Sequence, residues 1–187
     1  MDPQKTDPRK IEEGLKLFLE GAGITDPFVK DLPATVARSW PEEMLSGYSQ
    51  DPVQILKVEF DAPQDQMVLV RDVKFTSLCC HHLLPFTGTV SLAYLPSRGV
   101  TGFSSLGRLV DCYAKRFQTQ ERMTEQIAQA LSECLQPKGV ACRVEAEQLC
   151  MTARGARKES ARVITTAFRG AFAENEPLRQ EFLRQAA

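Results

Sequence analysis

Both histidines of this chain stand side by side, His81 and His82, directly behind two adjacent cysteines in Ser77-Leu78-Cys79-Cys80-His81-His82. β-rich stretches flank the cluster, residues 67–77 before it and 86–95 after it, so a turn between two strands is expected to carry it. Cys79 and His82 form C-x2-H, a spacing at which two ligands in a turn converge on one ion. Thiolate plus imidazole suits zinc. A site needs a third ligand, and with no other histidine it has to be a cysteine or a carboxylate from elsewhere. Cys150, just before Met151-Thr152-Ala153-Arg154-Gly155, is the best placed, with Cys80 a rival that spacing leaves open. Three protein ligands leave a fourth corner for water, which is the catalytic arrangement and not the structural one.

The other cysteines, Cys112, Cys134 and Cys142, sit singly in apolar-periodic stretches and read as core thiols. Lys+Arg is 23 and Asp+Glu 24, so the net charge of -1 gives no reason to expect nucleic acid or an anionic membrane as partner. No apolar run approaches the roughly 18 to 20 residues that span a bilayer. The start, MDPQKTDPRKIEEGLK, is polar where a secretory signal would be apolar, so a cytoplasmic protein is expected.

Residues 1–48 read as an N-terminal helical extension. Ile11, Leu15, Phe18 and Leu19 recur at helical spacing up to Gly21 and Gly23, and Asp31 is the expected N-cap of a second helix with Pro33 in its first turn. Residues 49–187 read as the catalytic domain. Strands are expected over 53–61, 67–77, 86–95, 139–149 and 161–172, helices from Ser104 and over 119–135, and a short helix over 178–187. The order of elements gives an α+β class, an antiparallel sheet backed by helices, whose open edges favour assembly by strand pairing.

The stretch Ser77 to Phe86, S-L-C-C-H-H-L-L-P-F, resembles the S-x-C-E-H-H-L-L-P-F signature of the GTP cyclohydrolase I family. The likeness continues through Ala93-Tyr94-Leu95-Pro96, Val100-Thr101-Gly102-Phe103-Ser104, Arg108-Leu109-Val110, Gln118 to Ala128 and Cys150-Met151-Thr152-Ala153-Arg154-Gly155. It implies the tunnelling fold, with sheets of five subunits joined into a barrel and two pentamers stacked into a homodecamer. It further implies hydrolytic opening of the guanine imidazole ring of GTP, loss of C8 as formate and closure to 7,8-dihydroneopterin triphosphate. By that resemblance Zn2+ falls to Cys79, His82 and Cys150, and His81 is the proton donor and acceptor. Glu121 grips the guanine N–H groups, with Gln120 and Ser104 beside it. Arg108 and Arg154 hold the triphosphate, and Arg38 falls where the family has a Lys reaching a neighbouring subunit's phosphates.

Four residues depart from the pattern: Cys80 stands for Glu, Gln148 for a second catalytic His, Ser105 for a phosphate-binding Lys and Thr35 for Arg. Gln can donate and accept hydrogen bonds but cannot carry a proton through a cycle at neutral pH. The expectation is therefore a zinc enzyme that opens the ring of a guanine nucleotide or related purine with an altered substrate or product. Gln148 and Cys80 would be altered catalytic positions, with Cys80 a nucleophile, ligand or substrate contact. The alternatives are an ordinary GTP cyclohydrolase I, or an impaired paralogue that binds nucleotide and regulates an active enzyme.

Overall fold

The structure, a computed structural model, describes residues 6–59 and 66–187. Its first helix, α1 (Pro8–Gly21), starts where the Asp7 carboxylate accepts from the Arg9 and Lys10 backbone N–H groups. It packs on α2 (Leu32–Glu43), which buries Pro33 and Ala37. Asp31 occupies the N-cap position of α2, but its side chain makes no capping bond: the residue is already helical at φ -91°, ψ -5°, out of the extended conformation that aims a cap side chain. Two 3-10 turns, Pro27–Val29 and Ser46–Ser49, and a short helix α3 (Pro52–Ile55) follow. The strand expected over 53–61 is not there in its first part. Pro52 opens a helical turn and the Asp51 carboxylate accepts from Val53 N, local chemistry that outweighs the β propensity of Val53 and Ile55. Residues 60 and 61 of that expectation lie outside the described residues.

The expected strands on either side of the Cys-His cluster form as one hairpin. β1 (Val68–Cys79) and β2 (Pro85–Leu95) pair antiparallel from Val68↔Tyr94 to Leu78↔Pro85, with a bulge between Val70 and Val73. Then come α4 (Phe103–Ala114), the two-residue β3 (Phe117–Gln118), α5 (Gln120–Leu135), β4 (Gly139–Gln148) and a single turn α6 (Leu149–Thr152). β5 (Val163–Gly170), α7 (Ala171–Glu174) and α8 (Glu176–Gln185) end the chain. The sheet order is β3-β1-β2-β4-β5. One pairing departs from the antiparallel expectation, since β3 runs parallel to Leu78–Cys79. A two-residue strand carries no periodicity of its own and is invisible to pattern reading.

Alternation along the strands decides the layers. Phe86, Val90, Leu92 and Tyr94 of β2, with Val140, Cys142 and Val144 of β4, face Leu106, Leu109 and Val110 of α4 and Met123, Ile127 and Leu131 of α5. All are essentially without solvent contact, and each such side chain contributes about 1.5–3 kcal/mol by burial. Cys112 and Cys142 are buried as expected, while Cys134 is only half-buried. The opposite face holds a smaller cluster, Ala93, Ala141, Phe172 and Phe182, beneath α8. Elsewhere that face is polar, with an ion pair between Arg143 and Glu145 at 2.6 Å. The two helices packed on the core face thus hold the N-terminus of α5 against the end of the sheet where β1 and β4 run out, and there Cys79, His82, Cys150, Gln120 and Gln148 lie.

Candidate metal centre

Cys79 is the last residue of β1, 6% exposed, and its backbone N–H donates to Leu84 O. The chain then turns tightly. His82 N and Leu83 N both approach Cys79 O, at 3.4 and 2.9 Å, and Leu83 takes a left-handed φ of 58°. That turn brings His82 back over Cys79, with Nδ1 3.8 Å from Sγ. Cys150 arrives separately. Gln148 ends β4 at the N-cap position of α6, whose single turn swings the Cys150 side chain toward the end of β1. The donor atoms of Cys79, His82 and Cys150 lie within 4.8 Å of one another, the one group of this kind among the described residues. Around a tetrahedral zinc, with Zn–S of about 2.3 Å and Zn–N of about 2.0–2.1 Å, neighbouring donors sit about 3.5–3.8 Å apart. Two thiols and an imidazole at this spacing fit zinc after a contraction of little more than an ångström. Burial pushes the Cys150 thiol up, the adjacent Cys79 thiol adds to the rise, and the Arg154 guanidinium pulls the other way.

The other predicted site residues stand outside this triad. Cys80, the rival ligand, is exposed and no part of the cluster; its backbone N–H donates to Gln118 O at 3.0 Å, which fixes it on the β3 side. His81 is exposed, its ring 6.1 Å from that of His82 and at 78° to it. Glu121 is exposed in the first turn of α5, where its charge is favoured by the helix N-terminus. Ser104 is exposed one residue inside α4. It is not the N-cap, which falls to Gly102 because the extended φ/ψ of a cap occurs there. Arg108 is exposed one turn further on and donates from Nη2 to the buried Ser105 Oγ at 2.9 Å. Ser105 thus steadies a cation where the family pattern would supply another one. Arg154 is exposed beyond α6. Arg38 is exposed on α2, a helix packed on α1 and the Ser46–Ser49 turn.

Gln120 behaves differently from the expectation of a substrate contact. It is 2% exposed and fully engaged, donating from Nε2 toward Val144 O, Val163 O and Thr165 Oγ1 and accepting from Gln148 Nε2 at 2.7 Å. Partners 24 to 45 residues away leave no local signal in a sequence. Arg116, singled out by no motif, packs its guanidinium over the Tyr113 and Tyr48 rings and accepts from Ser77 Oγ at its carbonyl, bracing the root of the metal turn.

The fold and the triad define a class, an α+β chain presenting a two-cysteine, one-histidine candidate metal site at the end of its sheet. The family model described as GTP cyclohydrolase I matches residues 11–187. A protein of Carboxydothermus hydrogenoformans named GTP cyclohydrolase 1 is 47% identical over 179 residues, covering 94% of this chain and 92% of that one. The protein of the same name from Thermobifida fusca is 45% identical over 184 residues, covering 96% and 88%. Among solved structures, the archaeosine synthase QueF-Like in the apo form superposes only loosely, at a TM-score of 0.49 with 18% identity, over 57% of this chain and 96% of that one. On the strength of the family match and the relatives, the chain belongs to the GTP cyclohydrolase I family, and its five-stranded sheet with backing helices is the tunnelling fold.

Proposed function

We propose that this protein is a zinc-dependent GTP cyclohydrolase I, which opens the imidazole ring of GTP, releases C8 as formate and closes the product to 7,8-dihydroneopterin triphosphate. The observation that carries the reading is the convergence of Cys79, His82 and Cys150 within 4.8 Å beside the exposed His81. Relatives 45–47% identical across nearly the whole chain, all named GTP cyclohydrolase 1, favour the ordinary reaction over the altered substrate or product that the departures suggested.

When bound, zinc would supply a water acidified to near neutral pH as the nucleophile. His81, free of other partners among the described side-chain bonds and open to solvent, holds and delivers the protons of ring opening. Glu121 presents a carboxylate that accepts from the two N–H groups on the edge of guanine; adenine, lacking that donor pair, would leave the charge unmatched. Arg108, aimed by Ser105, and Arg154 take phosphate oxygens through forked N–H donors. Gln148 contributes hydrogen bonds only, so proton movement rests on His81 and water.

Assembly into a homodecamer fits the open edges of the sheet, since among the described residues β5 pairs only with β4 and β1 meets β3 at two residues. No helix among the described residues is long and apolar enough to cross a membrane, in keeping with a cytoplasmic enzyme acting on a free nucleotide. Incubation of the zinc-loaded protein with GTP, read by pterin fluorescence and mass spectrometry, is expected to yield formate and dihydroneopterin triphosphate in equal amounts. A ring-opened product that accumulates would restore the altered-product reading. Tight GTP binding with no turnover would make the protein a binding paralogue.

A further inference from the structure

The direction of the hydrogen bonds around Gln120 is fixed by chemistry. Its Nε2 lies 3.2 Å from Val144 O and 2.9 Å from Val163 O, and a carbonyl oxygen can only accept, so the –NH2 end of the amide faces β4 and β5. Thr165 Oγ1, at 3.2 Å from the same nitrogen, shares its two hydrogens with those carbonyls as a third acceptor. Thr124 donates to Gln120 O at 2.8 Å, which leaves Thr165 to donate to Thr124 across their 2.7 Å contact. Every acceptor and donor on that side is used, and Gln120 cannot flip without setting its oxygen against two carbonyls. Its Oε1 is therefore held toward Gln148, which has to answer with a donor, Nε2 at 2.7 Å. Gln148 in turn occupies the N-cap position of the helical turn that carries Cys150, with no side-chain capping bond to it. With one N–H committed, the Gln148 amide keeps an oxygen and a second N–H in an orientation set two links away by the sheet backbone.

We infer that Gln120 is a positioning residue that acts through Gln148, orienting a neutral, pH-indifferent amide beside the metal pocket, and is not itself a contact to the purine. The inference deepens the proposed reaction at this same site and rests on that reading. It also gives the Gln at position 148 a built support, where a histidine lost without compensation would show a loose side chain.

The test is a double-mutant cycle in the zinc-loaded enzyme with Gln120→Leu, Gln148→Leu and both together, measuring kcat, KM and the affinity for a non-hydrolysable GTP analogue. A misaligned group next to the reacting centre costs about 10- to 100-fold in rate. Each single variant is expected to lose about that much in kcat with analogue affinity unchanged, and the double variant to be no worse than Gln148→Leu alone. Losses that add in the double variant, or an affinity about tenfold weaker in Gln120→Leu as for a severed hydrogen bond to the purine, would overturn the inference. Thr165→Val removes one acceptor of the relay without removing a buried amide. It should lower kcat by a smaller factor in the native background and not at all in Gln148→Leu, and an equal effect in both backgrounds would refute the relay even if Gln120→Leu failed to fold. Absence of turnover in the native enzyme would overturn the proposed function instead, while the affinity comparison would still distinguish a positioning residue from a purine contact.

Discussion

Replacing Arg116 by Met should loosen the metal turn from behind. The Arg116 Nε donates to Cys112 O at 2.7 Å and Nη2 reaches Cys112 Sγ at 3.3 Å. The guanidinium lies 4.9 Å from the centre of the Tyr113 ring and 5.8 Å from that of Tyr48. A charge-assisted hydrogen bond to a half-buried carbonyl contributes about 1.5–3 kcal/mol. The Tyr113 contact adds about 1 kcal/mol and the more exposed Tyr48 contact about 0.5 kcal/mol. Met keeps the apolar stem and removes the cost of desolvating a charge, which offsets part of the loss. The net expectation is about 2–3 kcal/mol, or about 4–12 °C in Tm for a chain of this length. Urea unfolding and thermal melts at one fixed protein concentration measure it, and zinc content of the folded variant reports on the turn. A loss below about 0.5 kcal/mol with full zinc occupancy would refute the idea that this cluster braces the site, because such a value is that of an ordinary surface substitution.

The remaining predictions concern the sheet, the solvent conditions and the purine grip. A side chain at Gly88 would place its Cβ 1.9 Å from Glu145 O and 2.7 Å from Ala146 Cα, both backbone atoms of the paired strand, so Gly88→Ala should cost about 3 kcal/mol or more; unfolding unchanged in urea would contradict this. Burial pushes the Tyr113 hydroxyl up to about 12 and raises the Cys112, Cys134 and Cys142 thiols above their ordinary 9.0. The folded state keeps these protons after the unfolded chain has lost them, so the stability they give is whole below pH 9. As the pH rises above 9 that stability should fall progressively, and a flat stability profile above pH 9 would count against the burial described. Glu121→Gln should cut kcat/KM for GTP about 10- to 150-fold, the equivalent of about 1.5–3 kcal/mol for a lost charged hydrogen bond, with Tm nearly unchanged because the residue is exposed.

What was legible beforehand follows from how locally each feature is encoded. The metal turn could be read because Cys79 and His82 are three residues apart and β-rich stretches flank them on both sides, although β2 buries residues 90–94 without a break. Spacing alone left Cys150 and Cys80 as rivals for the third ligand, since Cys150 reaches the other two through a strand pairing, Phe86↔Gln148, that no periodicity announces. Long amphipathic helices such as α5 were plain from their spacing, and Thr119 does cap it, its hydroxyl accepting from Arg122 N. The failures occurred where local chemistry overrode propensity. Asp51-Pro52 turned a β-rich stretch into a helical turn, and Asp31 stands at the expected N-cap of α2 with backbone angles that keep its side chain from capping. The buried relay through Gln120, Thr124, Thr165 and Gln148 was hidden altogether. Its members are ordinary polar residues on two different elements and at a strand end, joined only once the sheet closes over the N-terminus of α5.

The account stands on Cys79, His82 and Cys150 holding one ion together, and X-ray absorption at the zinc edge of the purified enzyme tests that directly. The expected first shell is two sulfurs at about 2.3 Å, one imidazole nitrogen at about 2.0–2.1 Å and one further light atom. Four sulfurs, an all-oxygen and nitrogen shell, or a spectrum unaltered by Cys150→Ala would contradict it.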